Sequence, residues 1–145
     1  MADNLIENFL LHQSAGTAVL KKTLDANALR QRAHAQNIAN AETPGYQRLA
    51  VDFENQLKQV LENDADGMAQ AEPRHLGANG SHAELEALAA TTRQEKFDPN
   101  GPGINGVNID LEMAEMAETQ LRYLASVELL KRRYAGIKSA IRGQP

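Results

Sequence analysis

The chain has 145 residues, no cysteine and no tryptophan, and carries 19 acidic against 15 basic side chains. One domain is the limit at this size, disulfides and thiolate metal sites are excluded, and the acidic balance argues against a nucleic-acid binder, which needs a basic stripe to neutralise phosphates. Aromatic residues make up 4% of the chain, few for a compact monomeric core, so the composition fits long helices that bury surface against copies of themselves. No apolar run reaches membrane-spanning length, and Met1–Leu11 carries acids where a secretory signal has a basic flank, so a cleaved signal peptide is not expected.

A first helix is predicted from Asn4 to about Ala41. Asn4 with Glu7 three residues on makes a capping box. A 4-3 spacing then runs through Ile6, Leu10, Gln13, Thr17, Leu20, Leu24, Asn27, Gln31, His34 and Ile38, with Phe9, Ala28 and Ala35 widening the stripe. Half of that seam is polar, which costs stability in an isolated pair but fixes register and partner. Such a helix would be about 55 Å long, more than a small domain is wide. His34 reads as a hydrogen-bonded packing residue rather than a metal ligand or base.

The helix closes on Asn37-Ile38-Ala39-Asn40-Ala41-Glu42-Thr43-Pro44-Gly45-Tyr46. Asn37 and Asn40, three apart, share one helical face, so the inward side carries amides as well as methyls. Thr43 precedes a proline and leaves the α region. Pro44-Gly45 suits a type II turn, with positive φ at the glycine, and Tyr46 leaves the turn as an amphipathic anchor. With Leu29-Arg30-Gln31-Arg32 before it, this stretch resembles the N-terminal signature of the bacterial flagellar rod and hook family, whose axial proteins carry Asn-Ile-Ala-Asn followed by Thr-Pro-Gly-Tyr. The match is unbroken over Asn37–Asn40 and Thr43–Tyr46.

Beyond the elbow, Val51, Phe53, Leu57, Val60 and Leu61 predict a short amphipathic helix from about Asp52 to Asn63. Six of the ten glycines and three of the five prolines then fall between Asp64 and Val107, punctuation without a periodic core. A loop-rich, partly disordered insert is expected there. Within it, Ser81-His82-Ala83-Glu84 reads as a capping box ahead of Leu85 and Leu88, and Asp98 to Gly103 as a hinge of turn formers. His75 and His82, with Asp64 and Asp66, match no metal-ligand template. Glu72-Pro73-Arg74-His75-Leu76 resembles a segment of the family's proximal rod branch.

The last helix is predicted from Asn108, or Asp110, to about Ile141. Its seam runs Ile109, Met113, Met116, Gln120, Tyr123, Val127, Leu130, Tyr134, Ile137 and Ile141, broadened by Ala117, Leu121 and Leu124. With one polar member it is the strongest periodic signal in the chain. Glu112, Glu115 and Glu118 crowd its first turns and Lys131, Arg132, Arg133, Lys138 and Arg142 its last, complementing the helix dipole. Either these are solvated faces, or acidic starts and basic ends of neighbouring subunits meet. The basic cluster also fits nucleic acid or anionic lipid, though no aromatic interleaving accompanies it. Val107-Asn108-Ile109-Asp110-Leu111-Glu112, Met116, Leu121-Arg122-Tyr123 and Ser139-Ala140-Ile141 resemble the C-terminal region of the same proximal rod branch.

The resemblance implies a mainly α fold in which long N- and C-terminal helices pair as a coiled coil around a loop-rich middle insert. The segments are 1–46, 47–107 and 108–145. It implies an assembly motif at Asn37, Ile38, Asn40, Thr43, Pro44, Gly45 and Tyr46, and a C-terminal seam at Met116, Tyr123, Val127, Leu130, Tyr134, Ile137 and Ile141. The implied partners are copies of the chain, other flagellar rod proteins, the rod–ring adaptor and the flagellar export apparatus. The expected place is the periplasmic rod of the basal body, reached without a cleaved signal, and the role is to transmit torque for motility. No nucleic acid, small-molecule substrate, cofactor, metal or catalysis is implied, and no nucleophile–base pair or phosphate loop appears in the residues. Two rivals stand beside this reading. One is a soluble helical adaptor or export chaperone forming a discrete oligomer around a client groove; the other is an enzyme using His34 or His75.

Overall fold

The computed structural model describes residues 15–66, 80–96 and 105–143. In chain order these form helix α1 (Ala15–Ala39), strand β1 (Leu49–Asp52), helices α2 (Glu54–Asp66) and α3 (Gly80–Ala87), strand β2 (Thr91–Gln94) and helix α4 (Ile109–Arg142). The fold is mainly α, with long N- and C-terminal helices packed together and a small loopy middle. The Asn4–Glu7 box, the seam positions Ile6, Leu10 and Gln13, the flanking Phe9, the Pro73-Arg74-His75 segment and the Asp98–Gly103 string lie outside the described residues. No described helix is long and apolar enough to cross a membrane.

The residues sort into two compact units. One gathers residues 15–22, 53–66, 80–89 and 129–143. Phe53, just before α2, buries its ring, and its carbonyl accepts the first helical bond from Leu57 N–H at 2.8 Å. Leu85 and Leu88, buried one turn apart, give α3 the face that packs on α2. Lys22 Nζ donates to the Glu86 carbonyl near the end of α3. Thr17 and Ala18 are buried on α1, and Gly16 lies so close to the Arg133 guanidinium of α4 that a Cβ would stand 3.0 Å from Nη1. The predicted Asp52–Asn63 helix is therefore present as α2, although Val51 belongs to a strand and Leu61 stays 49% exposed.

The other unit gathers residues 23–52, 90–96 and 105–128. Here the end of α1 runs antiparallel to the start of α4: Asn37 and His34 meet Glu112, while Arg30 shares a cavity wall with Glu118 and Arg122. The strands form an antiparallel ribbon pairing Leu49 with Gln94, Ala50 with Arg93, Val51 with Thr92 and Asp52 with Thr91. Glu95 N–H to Arg48 C=O, at 2.8 Å, extends it by one rung. This ribbon was not predicted; four residues are too few for a period-2 pattern to rise above a helical one.

The seams differ from their predicted rows. On α1 the buried positions are Thr17, Ala18, Ala26, Asn27, Ala33, His34 and Asn37. Leu20, Leu24, Gln31 and Ile38 are half-buried, and Ala35 is exposed. On α4 the buried positions are Glu112, Thr119 and Ser126, a strict seven-residue repeat one place ahead of the predicted Met113, Gln120 and Val127. Small side chains let the helices approach closely, so burial follows the alanines and short polar groups rather than the largest apolar residues. Met116, Tyr123, Val127, Leu130, Tyr134 and Ile137 are half-buried; Ile109, Met113 and Ile141 are exposed.

Candidate assembly site at the helix elbow

The elbow is held by side-chain amides. After Ala39 the chain turns through Asn40–Gly45, with Thr43 N–H bonded to Asn40 C=O at 3.0 Å and Tyr46 N–H to Thr43 C=O at 3.1 Å. The second bond closes a β-turn on Pro44-Gly45, and Gly45 takes φ 76° as a type II turn requires at that position. The Ala41 carbonyl, and the Thr43 carbonyl in addition to its turn bond, accept from Nδ2 of the buried Asn105 at 2.9 and 2.6 Å.

The two asparagines of the motif do different work. Asn40 does not face inward: its Nδ2 donates back to Gln36 C=O at 2.9 Å, and its Oδ1 accepts from Thr43 Oγ1 at 3.4 Å. Asn37 is fully buried and uses its whole carboxamide. Oδ1 accepts from Leu49 N–H and from Tyr46 Oη, each at 2.8 Å. Nδ2 donates to Leu49 C=O at 2.9 Å and to Glu112 Oε2 at 3.1 Å. The amide thus pairs with Leu49 on the edge opposite β2, as a third strand would. Tyr46 is anchored through its hydroxyl, Ile38 is half-buried, and Thr43, Pro44 and Gly45 are exposed.

Glu112 is the centre of the site, 1% exposed although charged. Oε2 accepts from Asn37 and lies 2.6 Å from His34 Nδ1, while Oε1 lies 2.5 Å from Arg48 Nε. Burial opposes its charge, but the bonds from His34, Asn37 and Arg48 outweigh it and hold the carboxyl below the usual carboxylate range. An ionised carboxylate only accepts, so His34 carries its hydrogen on Nδ1. Arg48 extends the network, with Nη1 3.1 Å from Glu95 and Nη2 2.9 Å from Glu115. Burial works against the Arg48 charge, and Glu112 and Glu95 more than compensate, keeping it firmly protonated. Burial, then the Glu112 charge, pushes the Tyr46 phenol above its ordinary value.

His34, Glu112 and Glu115 bring potential metal-ligating atoms within 4.8 Å of one another. They do not fit a cation: Arg48 lies on both carboxylates, and Glu112 is saturated by three donors. A groove of about 300 Å³ beside them is lined by Arg30, His34, Arg48, Glu115, Glu118 and Arg122, walls of both signs next to β1.

Sequence reasoning found Asn37, the turn, Tyr46 and the bonded role of His34. It missed Arg48, Asn105 and the burial of Glu112, which had read as part of a solvated acidic face. Asn105-Gly106 is a turn signal that drew attention only to its glycine. Nothing local marks Arg48, whose partner Glu112 is 64 residues away.

An elbow locked by asparagine to a short ribbon joins two long helices, and several large apolar side chains of the second stay exposed. Over 110 residues, 74% of this chain and 79% of the relative, it is 37% identical to the flagellar basal body rod protein FlgB of Cereibacter sphaeroides (strain ATCC 17029 / ATH 2.4.9). It is 31% identical over 124 residues to the protein of that name from Escherichia coli (strain K12), covering 83% of this chain and 88% of the relative. With that of Bacillus subtilis (strain 168) it shares 28% identity over 124 residues, 86% of this chain and 91% of the relative. No model of a known protein family matches it. The chain belongs to the FlgB family of flagellar basal body rod proteins, and its role as a structural rod subunit follows from that membership.

Proposed function

We propose that this subunit builds the proximal part of the rod by stacking helically with copies of itself and with other axial rod proteins. It does so in the periplasm, after delivery by the flagellar export apparatus, and passes torque outward; the rod–ring adaptor is a further neighbour. The observation that carries the reading is the orientation of α4. Its deepest in-chain row is Glu112, Thr119 and Ser126, while Leu111, Leu121, Leu124, Leu129 and Ile141 are between 50% and 68% exposed. Exposed apolar side chains repeated along one helix mark a surface made for protein contact. The predicted seam Met116, Tyr123, Val127, Leu130, Tyr134, Ile137 and Ile141 adjoins that surface and is the second half of the proposed contact. Buried polar atoms point the same way: Thr17 Oγ1 and Asn27 Nδ2 have no hydrogen-bond partner among the described residues, so the helix pair is not optimised to stand alone. The adaptor reading is not favoured, because the relatives are rod proteins.

The test is complementation of a strain deleted for this gene. Leu121→Asp and Leu124→Asp alter exposed positions and should leave the helix content of the purified chain unchanged while abolishing swimming. Full swimming by both variants would overturn the reading.

A further inference from the structure

Asn105 is followed by glycine. That pair is thermolabile, because glycine has no Cβ to shield its backbone nitrogen from the asparagine side chain before it. In this chain the asparagine is also built into the elbow. It is 5% exposed, and its Nδ2, the nitrogen that deamidation expels, donates to the Ala41 and Thr43 carbonyls at 2.9 and 2.6 Å. The backbone beyond it is fixed as well: Gly106 takes φ 71° and Val107 is buried.

We propose that Asn105-Gly106 is a deamidation site held shut by the elbow: the unfolded chain loses ammonia there, the folded chain does not, and the product cannot rebuild the elbow. In the open chain the Gly106 nitrogen gives its proton to solvent base and attacks Cγ of Asn105. A new C–N bond closes a cyclic succinimide, the Cγ–Nδ2 bond breaks, and Nδ2 takes a proton from solvent and leaves as ammonia. Water then opens the ring at either carbonyl, giving aspartate at 105 or an isoaspartate whose side chain carries the backbone. Folding opposes each step. Two acceptors pin the leaving nitrogen, burial keeps solvent acid from it, and the fixed Gly106 backbone cannot turn toward Cγ. Reaction therefore waits for the elbow to open. The product no longer fits: aspartate sets a carboxylate, with no hydrogen to donate, against two carbonyl oxygens. Isoaspartate adds a carbon to the backbone just ahead of α4, where Asn108 caps the helix and Glu112 reaches Arg48.

The test is peptide mapping by mass spectrometry of the purified full chain, aged at mildly alkaline pH in native buffer and in urea. The readout is the mass gain of amide-to-acid conversion at Asn105. Conversion should be at least about tenfold slower in buffer than in urea, since only the opened elbow reacts. Gly45→Ala strains the turn that carries the Thr43 carbonyl. It should speed conversion at Asn105 in buffer by about tenfold and leave the urea rate unchanged. Asn105→Asp, which supplies one product directly, should unfold at a lower urea concentration than the wild type. Equal wild-type rates in buffer and urea would overturn the proposal. So would a Gly45→Ala rate in buffer no faster than the wild type, or an Asn105→Asp chain as resistant to urea as the wild type.

Discussion

The Asn37 side chain bonds both backbone groups of Leu49, accepting from its N–H at 2.8 Å and donating to its carbonyl at 2.9 Å. One amide thereby fixes the direction in which the chain leaves the elbow. Asn37→Ala should strip four bonds from a buried site; each buried group left unsatisfied costs about 1–3 kcal/mol. Asn37→Asp should be no better, since it replaces a donor with a second acceptor facing Leu49 C=O and Glu112. Urea unfolding followed by circular dichroism should rank Tyr46→Phe, which loses one hydroxyl bond and about 0.5–1.5 kcal/mol, as clearly milder than either. Equal losses for Asn37→Ala and Tyr46→Phe would show that the Leu49 pairing carries no weight.

Two glycines should respond to alanine with opposite signs. Gly45 has φ 76° and no atom within 4 Å of a built Cβ, so substitution there is opposed by backbone strain alone, roughly 1–2 kcal/mol for alanine. Valine should be worse, and asparagine, which tolerates the left-handed region, should recover much of the loss. Gly136 lies inside α4 with equally open space and a normal helical φ. Gly136→Ala should stabilise by about 0.5–1 kcal/mol. Melting temperatures of the two alanine variants, measured side by side, check the pair of signs.

Acid should loosen the elbow through Glu112. Its carboxyl is held below the ordinary value of 4.5 in the folded chain, so on acidification the unfolded chain takes up that proton first. The contribution is therefore complete above about 4.5 and is lost as pH falls through the lower folded value. Glu112→Gln should reduce stability at neutral pH and flatten the stability curve on the acid side. An unchanged acid slope in the variant would remove Glu112 as its source.

Much of this was legible because local rules and the fold agree. The last helix, read as Asn108 to about Ile141, is Ile109–Arg142, and the Asn108 side chain caps it by accepting from Leu111 N–H at 3.2 Å. The Pro44-Gly45 turn follows from residue chemistry alone; the short helix expected at Leu85 and Leu88 is present as Gly80–Ala87, starting ahead of the Ser81 predicted to cap it. The ribbon and the Arg48–Glu112 pair were not legible, because both join residues far apart in the chain, Leu49 with Gln94 and Arg48 with Glu112, and neither leaves a periodic trace. The rows misled for a related reason: apolar periodicity marks all the surface a helix will bury, against its own chain and against others. Here the in-chain share falls on alanines and short polar residues such as Ala33, Thr119 and Ser126.

The predicted seam can be weighed against the basic cluster that follows it. Leu130 is half-buried and Arg132 exposed. Leu130→Asp would place a charge where the proposed contact buries apolar surface, whereas Arg132→Ala removes a surface interaction of roughly 0–1 kcal/mol. Swimming should be lost in the first and only weakened in the second, at equal protein levels by immunoblot. The reverse order would point to an anionic ligand on the basic cluster in place of helix packing.

The central claim is that this chain is a building block of the rod. Electron microscopy of basal bodies purified from a strain deleted for its gene tests that most directly. The account predicts membrane rings with no rod projecting from them, and complete basal bodies once the gene is returned. Intact rods of normal length in the deletion strain would contradict it.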